Sequence, residues 1–152
     1  MRQLNHFHHS PLLALMPTNP RIVITDDDYS RLRRLAGHPR LAAELDAADV
    51  VDSASVPPDV VTMNSRVLYE DETVGGRREV TIVFPQQSDG SRGRVSVLAP
   101  IGSALLGLAV GQTILWPFPD GTSHCLRVLR IVYQPEADSM SRAAQKAPAG
   151  ER

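Results

Sequence analysis

Residues 94–112 read R-V-S-V-L-A-P-I-G-S-A-L-L-G-L-A-V-G-Q, and the rest of the chain is organised around them. Val95 and Val97 alternate with Ser96, the period of a half-buried strand. Pro100 lacks a ladder donor, so it ends the strand, and its fixed backbone suits the first turn of a helix. Ile101, Ala104, Leu105 and Leu108 follow at i, i+3, i+4 and i+7 and share one helix face. Gly111 closes the unit. Two turns of helix are not stable alone in water, so this face must lie against a sheet. Each large apolar side chain buried there contributes roughly 2 kcal/mol.

Strands surround the unit. Downstream, residues 113–118 form a strand stopped by Pro117 and Pro119, Asp120-Gly121 makes a turn, and residues 125–133 form a long last strand. Upstream, Val60, Val61 and Met63 lead into an alternating run at 66–70. The pair Gly75-Gly76 signals a hairpin before 77–84, where Val80, Ile82 and Phe84 face one way. About five strands, mostly hairpin-joined, with one helix placed late make an α+β fold, an antiparallel sheet wrapped on a helix.

Further upstream the period changes. Residues 21–25 (R-I-V-I-T) are a β-branched lead-in, Thr25 or Asp26 is an N-cap, and Asp26, Asp27 and Asp28 suit a helix N-terminus. Tyr29, Leu32, Leu35 and Ala36 form one stripe; Leu41, Leu45 and Ala48 form a second. Gly37 stops the first helix and Pro39 opens the next. The spacing predicts a short antiparallel helical hairpin, each arm about 11 residues or roughly 16 Å long. Its tip gathers Arg33, Arg34, Gly37, His38, Pro39 and Arg40, while the aspartates gather at the base. Arg40 at the start of the second helix and Asp46 and Asp49 near its end oppose the helix dipole, which admits a partner for the tip charge beside a plainly solvated surface. Asp49 to Pro58 reads as loop. The domain plan is a tail (1–20), the hairpin (21–58), the sheet domain (59–137) and a second loose tail (138–152).

Composition excludes several functions. The chain has 152 residues, 42% hydrophobic, with a net charge of -1, so a real core fits and a strongly basic nucleic-acid surface does not. The single Cys125 rules out an internal disulfide framework and, in a strand-like run without a partner motif, reads as a packed thiol. No apolar run reaches the roughly 20 residues of a membrane span, and Leu12 to Met16 is too short for a signal peptide, so a cytoplasmic protein is expected. His6, His8 and His9 lack the fixed geometry and fourth partner of a metal site. Three consecutive aspartates point to different sides of a helix, so capping accounts for Asp26 to Asp28. Gly102 and Gly107 are five apart, as in a phosphate loop, but no Lys-Ser/Thr follows. Ser65, Ser96 and Ser103 lack a recognisable His and Asp order. No catalytic residue, cofactor or metal is predicted.

The central stretch resembles the C-terminal domain of bacterial Gre-type transcript-cleavage factors. D-V-V-T-M-N-S-R-V (59–67) and Y-Q-P-E-A (133–137) bring it nearer to one branch, the regulators of nucleoside diphosphate kinase, which are Gre-related proteins that bind RNA polymerase. The resemblance spans residues 22–137. It implies an immunophilin-like domain after a helical hairpin, docked on RNA polymerase near its secondary channel, with nucleic acid met only through that complex and the protein a monomer. It makes Ala99, Pro100, Ile101, Gly102, Ser103, Leu106 and Gly107 the docking unit, and Gly37, His38, Pro39 and Arg40, with Arg33 and Arg34, a probing tip. Gre factors act through acidic tip residues that help hold a catalytic metal. This tip has none, so the resemblance implies competition with Gre factors without transcript cleavage. Two other readings follow from it: direct binding to nucleoside diphosphate kinase, and prolyl isomerase activity. The second is weak, because Tyr69, Phe84, Trp116, Phe118 and Tyr133 serve equally well as core.

Overall fold

A computed structural model describes residues 20–35 and 37–150, with side chains to residue 144; the histidines of the N-terminal tail and Ala36 lie outside the described residues. Along the chain run β1 (Val23–Thr25), α1 (Asp26–Leu32), α2 (Pro39–Ala47), β2 (Asp49–Val51), β3 (Arg66–Asp71), β4 (Arg77–Val83), β5 (Arg94–Ser96), α3 (Pro100–Leu105), β6 (Thr113–Pro117), β7 (Ser123–Tyr133) and α4 (Pro135–Gly150). Five strands form one sheet in the order β5-β4-β3-β7-β6, and β1 and β2 form a second, two-stranded sheet. The mixed α+β architecture matches the sequence reading.

The central unit starts as its pattern predicts but is shorter: α3 stops at Leu105, Leu106 leaves the helical conformation, and Leu108 is buried beyond the helix instead of on its face. Pro100 opens α3, and Gly102, Ser103, Ala104 and Leu105 are buried within it. Gly102 allows this helix to lie on the chain before it, since a Cβ there would sit 2.1 Å from the Ser96 carbonyl oxygen. Ser103 Oγ donates to the Val97 carbonyl at 2.6 Å. The segment after the helix then joins three parts of the fold. Val23 N donates to the Gly107 carbonyl, Gly107 N to the Val61 carbonyl and Val61 N to the Leu108 carbonyl, at 3.1, 2.9 and 2.8 Å.

Two distant motifs meet beside it. The Gln134 side-chain amide donates to the carbonyls of Pro57 and Val60, both at 2.8 Å. Glu136 Oε1 accepts from Thr62 Oγ1 at 2.7 Å. Residues 59–67 and 133–137 are therefore one structural joint.

Four further expectations are corrected. The helices of the hairpin are a little shorter than predicted: α1 has 7 residues and continues as a 3-10 turn over Arg33–Leu35, and α2 has 9. Residues 49–51 are strand rather than loop, because β2 pairs parallel with β1 from Val23↔Asp49 to Thr25↔Val51. The main sheet is not wholly antiparallel: β4 and β5 run parallel, the polar loop after Phe84 carrying the chain back. The C-terminal stretch is helical from Pro135 to Gly150, not a loose tail. Pro135 suits a first turn, Gln134 Oε1 accepts from the Ala137 amide at 3.1 Å, and alanines favour helix.

The aspartate run is used in capping and cross-linking. Thr25 Oγ1 accepts from Asp28 N at 3.1 Å, as an N-cap should. Ser53 Oγ donates to both Asp26 and Asp27 at 3.0 Å. Asp28, 1% exposed, accepts from Met63 N at 3.0 Å and from Arg31 at 2.7 Å, tying α1 to the segment before β3. Burial pushes its carboxyl above the ordinary range, against the pull of the Met63 amide and Arg31.

Candidate protein-docking site

The N-terminus of α3 opens on a cleft of about 270 Å³ at one end of the sheet. Ile101 reaches it from the helix, Tyr69 and Asp71 from β3, and Phe118 and His124 from the β6–β7 hairpin. Gly75 and Gly76 form its rim; their backbone φ values of 84° and 105° lie in the left-handed region that glycine tolerates, as the β3–β4 turn requires.

Its polar centre is one pair. His124 Nδ1 lies 2.6 Å from Asp71 Oδ2, and the opposite ring nitrogen lies 3.1 Å from Thr122 Oγ1. The imidazole also stacks on Phe118, with centroids 4.2 Å apart. Burial opposes ionisation of Asp71, but hydrogen bonds from His124 and from the amides of Val74 and Thr73 outweigh it and hold the carboxyl below its usual range. The result is a half-apolar depression whose charged lining is this pair together with Arg78 of β4. Cys125, next in sequence, is pushed up by burial and by the nearby Glu72 carboxylate, so its thiol stays protonated. No group of metal-ligating side chains occurs among the described residues.

Of the seven docking candidates, Ala99, Pro100 and Ile101 are partly exposed, whereas Gly102, Ser103, Leu106 and Gly107 are buried. A partner can touch the first three; the other four hold them in place. Sequence reasoning missed Asp71 and His124. Both sit at strand ends, and their only signal was a turn residue near each.

The tip candidates are placed differently from the arm that was expected. Leu32, Leu41 and Leu45 belong to the same buried core as Ile114 and Trp116 of β6, so the helices lie on the sheet instead of standing off it. Arg40 places its guanidinium 5.3 Å from the Trp116 ring centroid. Arg33 pairs with Asp46 at 3.4 Å and lies over Tyr29. Asp49, which opposed the dipole of the second helix in the sequence, pairs with Arg21 at 2.6 Å. Gly37 and His38 are exposed at the turn, with Pro39 opening α2. Arg34 lines a separate cleft beside Phe84.

The family model for the GreA/GreB transcription elongation factor C-terminal domain matches residues 56–139, which contain the joint, the α3 unit and the cleft. The chain belongs to this GreA/GreB family. A regulator of nucleoside diphosphate kinase from Escherichia coli K12 is 42% identical over 129 residues, covering 79% of this chain and 95% of that protein. GreA of Caldanaerobacter subterraneus is 37% identical over 91 residues, covering 60% of this chain and 57% of that protein. A solved GreA/GreB structure from Nitrosomonas europaea is 41% identical, covers 76% of this chain and all of that one, and superposes with a TM-score of 0.61. Within this Gre-family chain, no described helix is long and apolar enough to cross a membrane.

Proposed function

We propose that the protein is a non-enzymatic transcription regulator that docks on RNA polymerase through the cleft at the α3 N-terminus and competes there with longer-armed Gre factors without stimulating cleavage. The observation that supports this reading is the α1–α2 turn. Gly37, His38, Pro39 and Arg40 include no carboxylate that could hold a metal, and the helical arms beside them are short, 7 residues plus a 3-10 turn on one side and 9 residues on the other. The immunophilin-like description of the sheet domain belongs to the same reading. So does monomeric docking, with nucleic acid met through the polymerase. Ile101 and Phe118 supply the apolar contact, and the His124–Asp71 pair offers a fixed polar one.

The test is a titration of purified RNA polymerase with the full chain, with and without a Gre factor. Saturable binding that the Gre factor displaces, lost in Ile101→Asp, supports the reading. No binding under conditions where the Gre factor binds removes it. Because the 42% identical relative is named a regulator of nucleoside diphosphate kinase, the kinase is assayed in parallel without polymerase. A change in its activity there selects direct kinase regulation instead.

A further inference from the structure

The opposite face of the sheet carries a cleft of about 480 Å³ that the docking site does not use. Strand register builds its floor. Arg94 of β5 opposes Thr81 of β4, Thr81 opposes Arg66 of β3, and Arg66 opposes Tyr133 of β7. With strands about 4.8 Å apart, this row is roughly 14 Å long. Val67, Val80 and Ile82, the neighbours of Arg66 and Thr81 along the strands, are buried in the core, so the row faces outward.

The polar groups of this cleft have unused hydrogen-bonding capacity. Arg66 lies 3.8 Å from Glu79 and Arg92 lies 3.7 Å from Asp89, both beyond hydrogen-bond length. Arg94 makes no side-chain hydrogen bond or ion pair among the described residues, and neither does the Asn64 side chain. A guanidinium presents five donors in a planar fork suited to phosphate. Tyr133 is 42% exposed at the far end of the row, with no ring stacked on it among the described residues. Three guanidiniums face two carboxylates, the lining Glu79 and the Asp89 beside Arg92, so the cleft keeps a net positive charge although the chain as a whole does not.

We propose that this cleft binds a nucleotide, with its phosphate held by Arg94, Arg92 and Arg66 and its base stacked on Tyr133. Asn64, held in place by its own backbone hydrogen bond to Ile82 and carrying a φ of 69°, offers an amide to the base edge. Glu79 accepts from ribose hydroxyls or an exocyclic amine. A purely anionic ligand would leave Tyr133 and Asn64 without a role. The same chemistry is presented by a free nucleotide and by single-stranded RNA.

The test measures anisotropy of the full chain with fluorescent ADP and, separately, with labelled oligo-uridine. Binding of either probe supports the proposal, and which probe binds tells the free nucleotide from RNA. Arg94→Ala and Tyr133→Ala should each weaken it about fivefold or more. Tyr133→Phe should stay within about threefold of the parent, and Arg94→Lys, which keeps the charge but not the fork, should bind between the parent and Arg94→Ala, which separates loss of contact from loss of fold. RNA affinity should fall as salt rises, in proportion to the phosphates contacted. No binding of either probe at about 1 mM protein overturns the proposal. So does equal displacement by inorganic phosphate or polyglutamate, which would make the cleft a general anion site. The two clefts lie on opposite faces, so failure here leaves polymerase docking undecided and the reverse holds too.

Discussion

The guanidinium of Arg40 lies over the indole of Trp116, 5.3 Å from the ring centroid. This contact binds the start of α2 to β6 in the main sheet. It turns a charge that reads as a free tip cation into part of the body. Trp116 is 6% exposed, so Trp116→Ala should cost about 3–5 kcal/mol, whereas Arg40→Ala removes only a surface cation–π contact worth about 0.5–1 kcal/mol. Urea midpoints of the two variants check the ranking.

The same placement predicts a negative result. Arg40→Asp combined with His38→Asp should confer no cleavage on a stalled transcription complex, because α1 and α2 are short and lie along the sheet. Appearance of shortened transcripts would show that the arm can leave the body.

Glu44 predicts a loss of stability with rising pH. Its Oε1 is buried without a hydrogen-bond partner, in a cleft lined by Ile114, Trp116, Ala43 and Ala47. Burial raises its carboxyl to about 8, opposed weakly by Arg40. The folded value lies above the unfolded one, so the unfolded state holds fewer protons across this range. The stabilisation is complete below about pH 4.5 and is lost as pH rises through about 8. Each unit of separation is worth about 1.4 kcal/mol. Glu44→Gln should flatten the decline and be more stable than the parent at pH 8, as chemical denaturation across that window will show.

Asp71 works in the other direction and in a lower window. Its folded value is depressed, so its contribution is present above the ordinary carboxylate range and disappears as pH falls through that lower value. Asp71→Asn should remove the acid-limb loss. It should also loosen the His124 ring, seen as a changed imidazole signal by NMR. An unchanged signal would mean the pair does not orient the ring.

Gly102 and Gly107 test the packing of the central unit. Alanine at 102 would meet the Ser96 carbonyl at 2.1 Å, and alanine at 107 would meet the Ile22 Cβ at 2.5 Å at a backbone φ of 86°. Both obstacles are held by neighbouring chain, so each variant should lose about 3 kcal/mol or more. Thermal unfolding measures this, and a loss below about 1 kcal/mol at either position would mean that the unit shifts freely.

The local elements were legible because their signals are local. Pro100 and the apolar spacing of Ile101, Ala104 and Leu105 fall within a few residues and specify the start of α3, whereas its end at Leu105, before Leu108 and Gly111, was not legible. Thr25 capping Asp28 and the alternation of Val80 and Ile82 are local signals of the same kind as that start. Family membership followed from these stretches too. The helix at Pro135–Gly150 was missed because its small and polar residues read as unpatterned, although alanines favour helix, and the three-residue β2 because it exists only through its parallel pairing with β1.

What the tertiary structure alone decided is which surfaces meet. Asp71 and His124 are 53 residues apart, and Arg66, Thr81, Arg94 and Tyr133 share a row only through the register of four strands. The tilt of α1 and α2 onto the sheet depends on Leu41 and Leu45 finding the face that carries Trp116. Periodicity states that a helix has an apolar stripe but not what will cover it. That choice is made by burial summed over the whole chain, and it set both the docking cleft and the position of the arm.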